Sequence, residues 1–266
     1  MCASHATICL RIMDNAIRQL LIGYAGRFET PSFIINDPSW FMHQVDGRNN
    51  QETMAFIASC LSYGSRKQFM PKIQYLLRAS KGEPYEWVRS GAFENDVPDR
   101  PECFYRLYSC HTMNQFLRAL RGLIMAFGSL GEFAACKSLS LGGRRGNAIN
   151  VLNALADWFY DRGLQGIVPK PHTSLCKRPC MFMRWMVRDS SPVDLGLWAD
   201  YVDKASLFVP LDTHVARTAR RLGLLHSMSA TWKTVESLTR EMAKAFPGDP
   251  ARGDYALYGA DLPENY

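Results

Sequence analysis

The stretch that decides the fold is VPLDTHVARTARRLGLL, residues 209–225. Pro210 disfavours helical backbone in the residue before it, so a helix does not run into this stretch from upstream. Asp212 belongs to the residue types that best accept the free N–H groups of a first helical turn, and Gly223 is a permissive residue at the other end. The stretch therefore predicts a short helix that starts directly after Asp212.

This predicted helix has an apolar side and a basic side. The helical spacing places three residues in one apolar stripe, Val215, Ala219 and Leu222. Outside the stripe stand three basic residues, Arg217, Arg220 and Arg221. A carboxylate at the start of such a helix has two interpretations, and both stay open at this point. Asp212 is a helix cap, or it belongs to a functional site.

Apolar residues recur at helical spacing along most of the chain. The pattern fits the i, i+3, i+4 template better than strand alternation in segments 13–28, 51–64, 66–80, 113–128, 146–163, 177–189, 213–224, 230–246 and 253–260. Glycine and proline mark the breaks between these segments, and no segment shows a convincing strand. The sequence therefore predicts an all-α protein of about nine or ten helices.

The length and composition bound the class of protein. A chain of 266 residues with 47% hydrophobic residues is long enough to bury a sizeable core, either in one domain or in two lobes around a cleft. No uninterrupted apolar run approaches the roughly 20 residues that cross a bilayer, and the first residues lack the pattern of a secretory leader. We therefore expect a cytoplasmic protein with no membrane partner.

The eight cysteines give little sign of a metal centre or a cofactor. They lack the tight spacing of a zinc ribbon and the four-cysteine run of an iron–sulfur cluster, so we expect reduced thiols. Cys176 and Cys180 lie one helical turn apart with His172 nearby, but no second pair of ligands accompanies them. The sequence predicts no metal and no cofactor.

The positive charge is concentrated in two stretches of the sequence. The chain carries a formal net charge of +6. Residues 164–188 and 213–221 together contribute +8 and contain no acidic residue, so the rest of the chain sums to −2. Such clustering is typical of a surface that binds a polyanion, although solvated arginines give the same count. We expect both stretches to face nucleic acid.

The motif VPLDTHVARTARRLGL resembles the Val-Asp-Thr-His-Val motif of the helix-hairpin-helix DNA glycosylases, the superfamily of endonuclease III, the adenine glycosylase and the 8-oxoguanine glycosylases. Nearly the whole chain also resembles the bacterial domain-of-unknown-function 2400 family, through INDPSWFMHQV, QETMAFIASCLSYGSRKQ, SLCKRPCMFMRWMVR, DLGLW and the same motif. The domain-of-unknown-function 2400 family, which is the nearer match, has no assigned activity. The remoter one implies a two-lobed, all-α glycosylase fold over residues 1–266, with its hairpin and catalytic segment at about 165–225.

The glycosylase resemblance implies a catalytic aspartate and, in the bifunctional members, a catalytic lysine on a hairpin ahead of it. Asp212 matches the aspartate, and Lys177, 35 residues earlier, is the candidate lysine. This interval resembles that of the archaeal 8-oxoguanine glycosylase, because residues 189–208 extend the segment between the two elements. The usual Leu-Pro-Gly-Val-Gly turn is replaced by PKPHTSLCK, so Lys177 also remains open as a phosphate contact or a solvated residue.

These two residue types suit the breakage of an N-glycosidic bond. The departing base leaves positive charge on the sugar, which a carboxylate stabilises, while a neutral amine attacks C1′ and forms a Schiff base. The target base must leave the duplex, because its glycosidic bond is inaccessible in the stack. His214 follows the aspartate, and we expect it to pack or to bond locally rather than to act as a base.

The remaining candidate residues divide into DNA contacts and base contacts. The expected DNA contacts are Lys170, Ser174, Arg178, Arg217, Arg221, Arg66 and Lys67. The expected wedge or base-pocket residues are Tyr63, Trp185 and Phe182, with Trp198 as a further wall. Aromatic residues at helical spacing usually lie in the core, so that interpretation stays open for Tyr63, Phe182 and Trp185.

From the resemblance we expect a DNA repair glycosylase with AP lyase activity that excises a damaged base, with an oxidised purine as the first candidate. The alternative is a nucleic-acid-binding module of the same fold that has lost catalysis, because the wedge residue and the glycine hairpin are both altered. A helical scaffold that binds protein is a third hypothesis. The expected partner is duplex DNA with a damaged base, and we expect a monomer associated with the nucleoid.

Overall fold

The computed structural model describes residues 13–139, 144–226 and 229–261. The helices of these residues are α1 (Asn15–Phe28), α2 (Arg48–Leu61), α3 (Arg66–Ala79), α4 (Pro84–Ser90), α5 (Phe93–Asp96), α6 (Cys110–Phe127), α7 (Leu130–Lys137), α8 (Ala148–Tyr160), α9 (Lys177–Val187), α10 (Thr213–Arg221), α11 (Trp232–Ala245) and α12 (Gly253–Gly259). This mostly helical structure confirms the all-α prediction. Among these helices, no single one is long and apolar enough to cross a membrane, and α6 with α7 passes that test only as a pair bent by 66°.

One short antiparallel hairpin interrupts the helices, in a part of the chain where the sequence shows no convincing strand. Strand β1 (Cys103–Tyr105) pairs with β2 (Tyr108–Ser109). Both strands are too short to show the period-two alternation by which strands are recognised in a sequence. The hairpin leads directly into α6, because the Ser109 hydroxyl accepts the backbone N–H of Thr112 at 3.0 Å and caps that helix.

Helix α2 is the centre of the core. Every residue from Glu52 to Leu61 is buried, and α2 packs against α3, α4, α7 and α9. Phe56 lies within an aromatic cluster, with ring centroids 5.8 Å from Phe116, 5.4 Å from Phe159 and 5.1 Å from Phe182. Helices α6, α8 and α9 therefore close around one aromatic cluster on α2.

Helix α9 is buried along almost its whole length. All residues from Pro179 to Val187 are buried, and only Lys177 and Arg178 at its start are partly exposed. The backbone enters the helix through Cys176, whose φ of 50° lies in the left-handed region. Because the rest of α9 is held in the core, its first turn presents Lys177 and Arg178 from a rigid support.

Helix α12 joins α1 to the start of α10, and it packs against both. A Cβ at Gly259 would lie 2.1 Å from the ring of Phe28, so only glycine permits this close approach to α1. On its other side, the Tyr258 ring lies 5.8 Å from the ring of His214 in the first turn of α10. The end of α12 is thereby fixed beside the motif that opened the sequence.

The connection between α8 and α9 consists of turns rather than of a further helix. Residues 161–176 pass through successive turns, and His172 and Cys176 have positive φ values of 66° and 50°. Pro169 and Pro171 lack the backbone donors that a helix needs here. The predicted hairpin segment is therefore a turn-rich connection that leads into the single helix α9.

Candidate functional site

Asp212 and Lys177, the two candidate catalytic residues, lie side by side. Lys177 Nζ is 3.7 Å from Asp212 Oδ2, although 35 residues separate them in the chain. Lys177 is the first residue of α9 and Asp212 is the N-cap of α10, so the starts of two helices meet here. Their side chains are 31% and 24% exposed, which leaves the pair accessible to a ligand from solvent.

The two carboxylate oxygens of Asp212 have different partners. Oδ1 accepts the backbone N–H groups of His214 at 2.9 Å and Val215 at 3.0 Å, which is the geometry of a helix cap. Oδ2 faces Lys177. The cap interpretation and the site interpretation are therefore compatible, because the cap orients the carboxylate through one oxygen and leaves the other for a ligand.

A second acidic residue, Asp254 of α12, is electrostatically coupled to this pair. Its carboxylate is buried and accepts a hydrogen bond from Arg184 of α9. Burial raises the pKa of Asp254 to about 6, with Arg184 and Lys177 lowering it and Asp212 and Asp37 raising it. A buried acid whose pKa responds to both Lys177 and Asp212 lies close enough to influence the charge of the site.

The arginines Arg184 and Arg188 lie in the core, which corrects the prediction that all basic residues of 164–188 face nucleic acid. The two side chains are only 3% and 2% exposed. Their carboxylate partners are Asp194 and Asp254 for Arg184, and Glu29, Asp194 and Asp249 for Arg188. A buried guanidinium requires such partners, since an unpaired charge in the interior is strongly destabilising. The basic surface is correspondingly smaller than the sequence predicts.

Arg178, an expected DNA contact, directs its donors into the protein. Its Nη1 donates to the Cys60 carbonyl at 2.9 Å and to the Tyr108 hydroxyl at 2.7 Å, and its Nη2 donates to the Gly166 carbonyl at 2.9 Å. These bonds join the start of α9 to the end of α2 and to the β-hairpin. Arg178 is only partly exposed and contributes charge rather than free donors to the surface.

Lys170 and Ser174 also have partners inside the turn segment. Lys170 forms an ion pair with Asp157 of α8. The Ser174 hydroxyl donates to the Lys170 carbonyl at 3.0 Å and accepts the backbone N–H of Cys176 at 3.0 Å. The Ser174 bonds shape the turn that leads into α9. A phosphate at this position has to compete with Asp157 for Lys170.

Three of the expected DNA-contacting arginines share the end of α12 and the residues after it as partners. They are Arg66 bonded to the Tyr258 hydroxyl, Arg217 bonded to Asp261, and Arg221 bonded to the Ala260 carbonyl. Arg217 is paired with a carboxylate at 2.9 Å, whereas the partner of Arg221 within the described part of the chain is a neutral carbonyl at 2.8 Å. Lys67 is exposed on α3 with no bonded partner among the described residues. Among the described residues, no acid therefore neutralises the charge of Arg221 or Lys67.

This difference predicts how salt acts on DNA binding. The affinity for duplex DNA should fall steeply as salt rises, because cations that contact phosphates displace counterions. Arg221→Gln should reduce the slope of log affinity against log salt by about 0.9, the value for one phosphate contact. Arg217→Gln is the matched control and should change the slope less, because Asp261 already neutralises Arg217. Fluorescence anisotropy titrations between about 50 and 200 mM salt measure both slopes, and a salt-independent affinity would contradict the basic surface.

Tyr63, the expected wedge residue, lies at the surface and not in the core. It follows the end of α2 and is 39% exposed. Two guanidinium groups lie near its ring, those of Arg106 and Arg178 at 5.2 and 5.7 Å from its centroid. Beside it is an open cavity of about 370 Å³. Tyr63 therefore has the exposure that contact with a base requires.

The aromatic residues Phe182, Trp185 and Trp198 lie in the core, which corrects the expectation that they line a base pocket. Their exposed fractions are 0%, 0% and 1%. Phe182 packs edge-on against Trp198 with centroids 5.1 Å apart, and the Trp198 indole donates to the buried Glu52 at 2.9 Å. The side of α9 that carries Phe182 packs against α2, so these rings stabilise the core and have no surface to offer a base.

The histidines and cysteines of this region are used in packing and local bonds. His214 Nδ1 bonds to Asp261 at 2.7 Å, and the His172 ring packs against an indole, that of Trp232, at 5.5 Å. Cys180 is buried, and burial raises the pKa of its thiol. In the described part of the chain, no group of three His, Cys, Asp or Glu side chains is placed to hold a metal ion. Cys2 and Cys9 lie outside the described residues.

Two features of this site were missed from the sequence. Asp254 is an acid in the first turn of an apolar helix, which is an ordinary position for an acid, so only its burial, at 8% exposure, distinguishes it. The Arg106–Leu107 turn of the β-hairpin lacks the glycine and asparagine by which hairpin turns are recognised. The one sign in the sequence that Asp254 is buried was its place as the single acid within the otherwise apolar segment GDYALYGA.

Comparison with known proteins identifies a family but no activity. The family model described as "Protein of unknown function (DUF2400)" matches residues 37–262, which include Lys177, Asp212 and Asp254. No curated protein and no solved structure matches the chain. Since the matched range covers well over half of the 266 residues, the chain belongs to the DUF2400 family of proteins of unknown function.

Proposed function

We propose that the protein is a DNA glycosylase with AP lyase activity, which excises a damaged base from duplex DNA. The observation that supports this proposal most is the 3.7 Å approach of Lys177 Nζ to Asp212 Oδ2 at the start of two helices. An amine and a carboxylate at this separation are the two groups that base removal through a covalent intermediate requires. The resemblance of VPLDTHVARTARRLGL to the glycosylase motif supports the same chemistry.

Lys177 is the nucleophile in this proposal. Its neutral amine attacks C1′ of the sugar, and the new N–C bond forms as the bond from C1′ to the base breaks. The base leaves with the electron pair of that bond and takes up a proton. Loss of a proton from the attached nitrogen and protonation of the ring oxygen open the sugar and give a Schiff base. Loss of a proton from C2′ then expels the 3′ phosphate and cuts the strand.

Asp212 stabilises the positive charge that the sugar acquires as the base departs. Its Oδ1 is held by the N–H groups of His214 and Val215, so Oδ2 is oriented before the reaction starts. A preorganised charge of this kind costs no reorganisation in the transition state. Asp212 Oδ2 also orients Lys177 in the absence of DNA, and both side chains are exposed enough to exchange protons with water.

An oxidised purine is the first lesion to test, because the interval between Lys177 and Asp212 resembles that of the archaeal 8-oxoguanine glycosylase. Borohydride should fix the wild-type protein covalently to a duplex that contains 8-oxoguanine, by reducing the Schiff base. Lys177→Gln should give no adduct. It should still bind DNA, because only one of several cations is lost and the others still contact the phosphates. The adduct is measured as a slower band on a denaturing gel, and binding by fluorescence anisotropy.

Lys233→Gln is the matched control, because Lys233 is an exposed lysine on α11 that belongs neither to the expected DNA contacts nor to the candidate site, and this variant should form the adduct normally. An adduct that persists in Lys177→Gln places the nucleophile elsewhere, with Lys170 as the next residue to change. Base loss without any adduct means that water attacks the sugar with help from Asp212 and that Lys177 is a phosphate ligand. Salt-sensitive binding without base loss from any lesion would instead support a non-catalytic nucleic-acid-binding module.

A further inference from the structure

The turn of the β-hairpin carries one residue that does not suit its backbone conformation, Arg106, and one apolar residue that does not suit its exposure, Leu107. Arg106 and Leu107 form the turn, since Tyr105 pairs with Tyr108. Arg106 has a φ of 50°, which glycine or asparagine ordinarily adopts in two-residue hairpin turns. Leu107 is 80% exposed, the largest value for a large hydrophobic side chain in the described residues. Arginine and leucine at these positions point to a role beyond closing the hairpin.

The hairpin is held firmly against the loop that follows α2. The Tyr105 hydroxyl donates a hydrogen bond to the Tyr63 carbonyl. Gly64 has a φ of 85°, and a Cβ at this glycine would lie only 2.4 Å from Arg106 Nη1. The guanidinium of Arg106 in turn lies 5.2 Å from the Tyr63 ring centroid. The exposed Leu107 is therefore presented from a fixed position and not from a loose loop.

An open cavity of about 370 Å³ lies beside this turn. The residues that line it include Tyr63, Leu107, Tyr108, Leu164, Ile167 and Arg178, and none of its lining residues is acidic. This volume falls within the range of small-molecule pockets, about 300–1,000 Å³. Tyrosine faces and guanidinium planes are surfaces on which nucleobases stack. The absence of acids suits a ligand attached to a phosphate backbone.

The cavity and the Lys177–Asp212 pair lie on two sides of the first turn of α9. Lys177 and Arg178 are consecutive residues, so their side chains leave the helix about 100° apart. Lys177 meets Asp212, whereas Arg178 borders the cavity. When one nucleotide leaves the duplex to reach Lys177, its former partner is left unpaired. The cavity is the neighbouring space in which that unpaired base can stack.

We propose that the Arg106–Leu107 turn enters the duplex together with Tyr63, and that the cavity receives the base opposite the extruded nucleotide. An apolar side chain inserted between base steps unstacks them and fills the gap. Leu107 is that side chain, Tyr63 and Arg178 provide the stacking surface, and Arg106 adds positive charge at the tip. The inference rests on the proposed function for the identity of the ligand as DNA.

The test uses a duplex with a tetrahydrofuran abasic analogue and 2-aminopurine in the opposite strand. This analogue has no base to release, so the measurement does not depend on catalysis. The fluorescence of 2-aminopurine is quenched in the stack and recovers when the base leaves it. Wild-type protein should raise the fluorescence several-fold. Leu107→Ala should lose most of this rise and about tenfold in affinity for this duplex, as expected when the burial of one leucine side chain in the complex is lost.

Met125→Ala is the matched control, because Met125 is also an apolar side chain that is largely exposed, at 61%, but it lies on α6 outside the cavity lining. This variant should leave the fluorescence rise and the affinity unchanged. Leu107→Ala should melt at the wild-type temperature, because its side chain makes few contacts at 80% exposure. A second variant, Tyr63→Ala, should also reduce the fluorescence rise.

A full fluorescence rise with Leu107→Ala would overturn the inference, as would a wild-type complex that forms without any rise. Base release by the same protein would in either case leave the proposed function standing. Conversely, a rise that depends on Leu107 in a protein that releases no base from any lesion supports the wedge and overturns the glycosylase. A protein that fails to bind this duplex overturns both.

Discussion

Asp212→Asn should abolish base release while leaving the protein folded. Asparagine retains an oxygen for the N–H groups of His214 and Val215 and caps a helix as well as aspartate does. The substitution removes only the negative charge that faces Lys177. Because electrostatic stabilisation is usually the largest single contribution to such a reaction, the single-turnover rate of base release should fall by about a thousandfold.

The companion variant Asp212→Ala separates the cap from the catalyst. It removes the cap as well as the charge, so it should show the same loss of base release and an unfolding free energy lower by about 1 kcal/mol. The Tm of Asp212→Asn should stay within a few degrees of wild type. A variant Asp212→Asn that melts normally and still releases the base at the wild-type rate would reduce Asp212 to a helix cap.

Among the proposed variants, Arg188→Met should cause the largest decrease in the free energy of unfolding. Arg188 is 2% exposed and lies among three carboxylates, those of Glu29, Asp194 and Asp249. Methionine fills much of the volume but leaves these buried acids without their common cation. Breaking a buried ion network by removing one partner costs about 3–5 kcal/mol. Thermal unfolding should therefore show a Tm lower by roughly 10 °C for a chain of this size.

The pH dependence of this variant has a defined sign. Although burial raises the pKa of the Glu29 carboxyl, its pairing with Arg188 and Arg252 leaves this pKa below the ordinary value. A lowered carboxyl pKa contributes stability above the unfolded pKa of glutamate, about 4.3, and the contribution is lost as the pH falls through the folded pKa. The difference in unfolding free energy between wild type and Arg188→Met should therefore be largest at neutral pH and smaller below about pH 4.

Arg89→Met is the control for this measurement. Arg89 also pairs with a carboxylate, that of Glu86, but both side chains are about half exposed, at 49% and 51%. Exposed pairs contribute little because water and salt screen them. The Tm of this variant should equal that of the wild type. An Arg188→Met protein as stable as wild type at neutral pH would mean that the carboxylates are satisfied without the arginine.

Helix positions and the cap at Asp212 were predictable because they depend on residues that are near one another in the chain. Helical spacing over 177–189 corresponds to α9 at Lys177–Val187, and the cap signal at Asp212 corresponds to bonds only two and three residues away. The nearness of Lys177 to Asp212 was predictable only through the resemblance to the glycosylases. No periodicity relates residues that are 35 positions apart.

The sequence by itself determined the all-α class, the capped start of α10 and the two residue types of the candidate site. Only the tertiary structure decided which basic and aromatic side chains of α9 face solvent. Lys177, Arg184 and Trp185 share one helix, and their exposures of 31%, 3% and 0% follow from how deeply α9 is packed. A charge count or a hydrophobic pattern cannot separate a buried, paired arginine from an exposed one, because the partners come from distant segments. The β-hairpin and the burial of Asp254 were not predicted for the same reason, because both depend on contacts between distant elements and not on the local sequence.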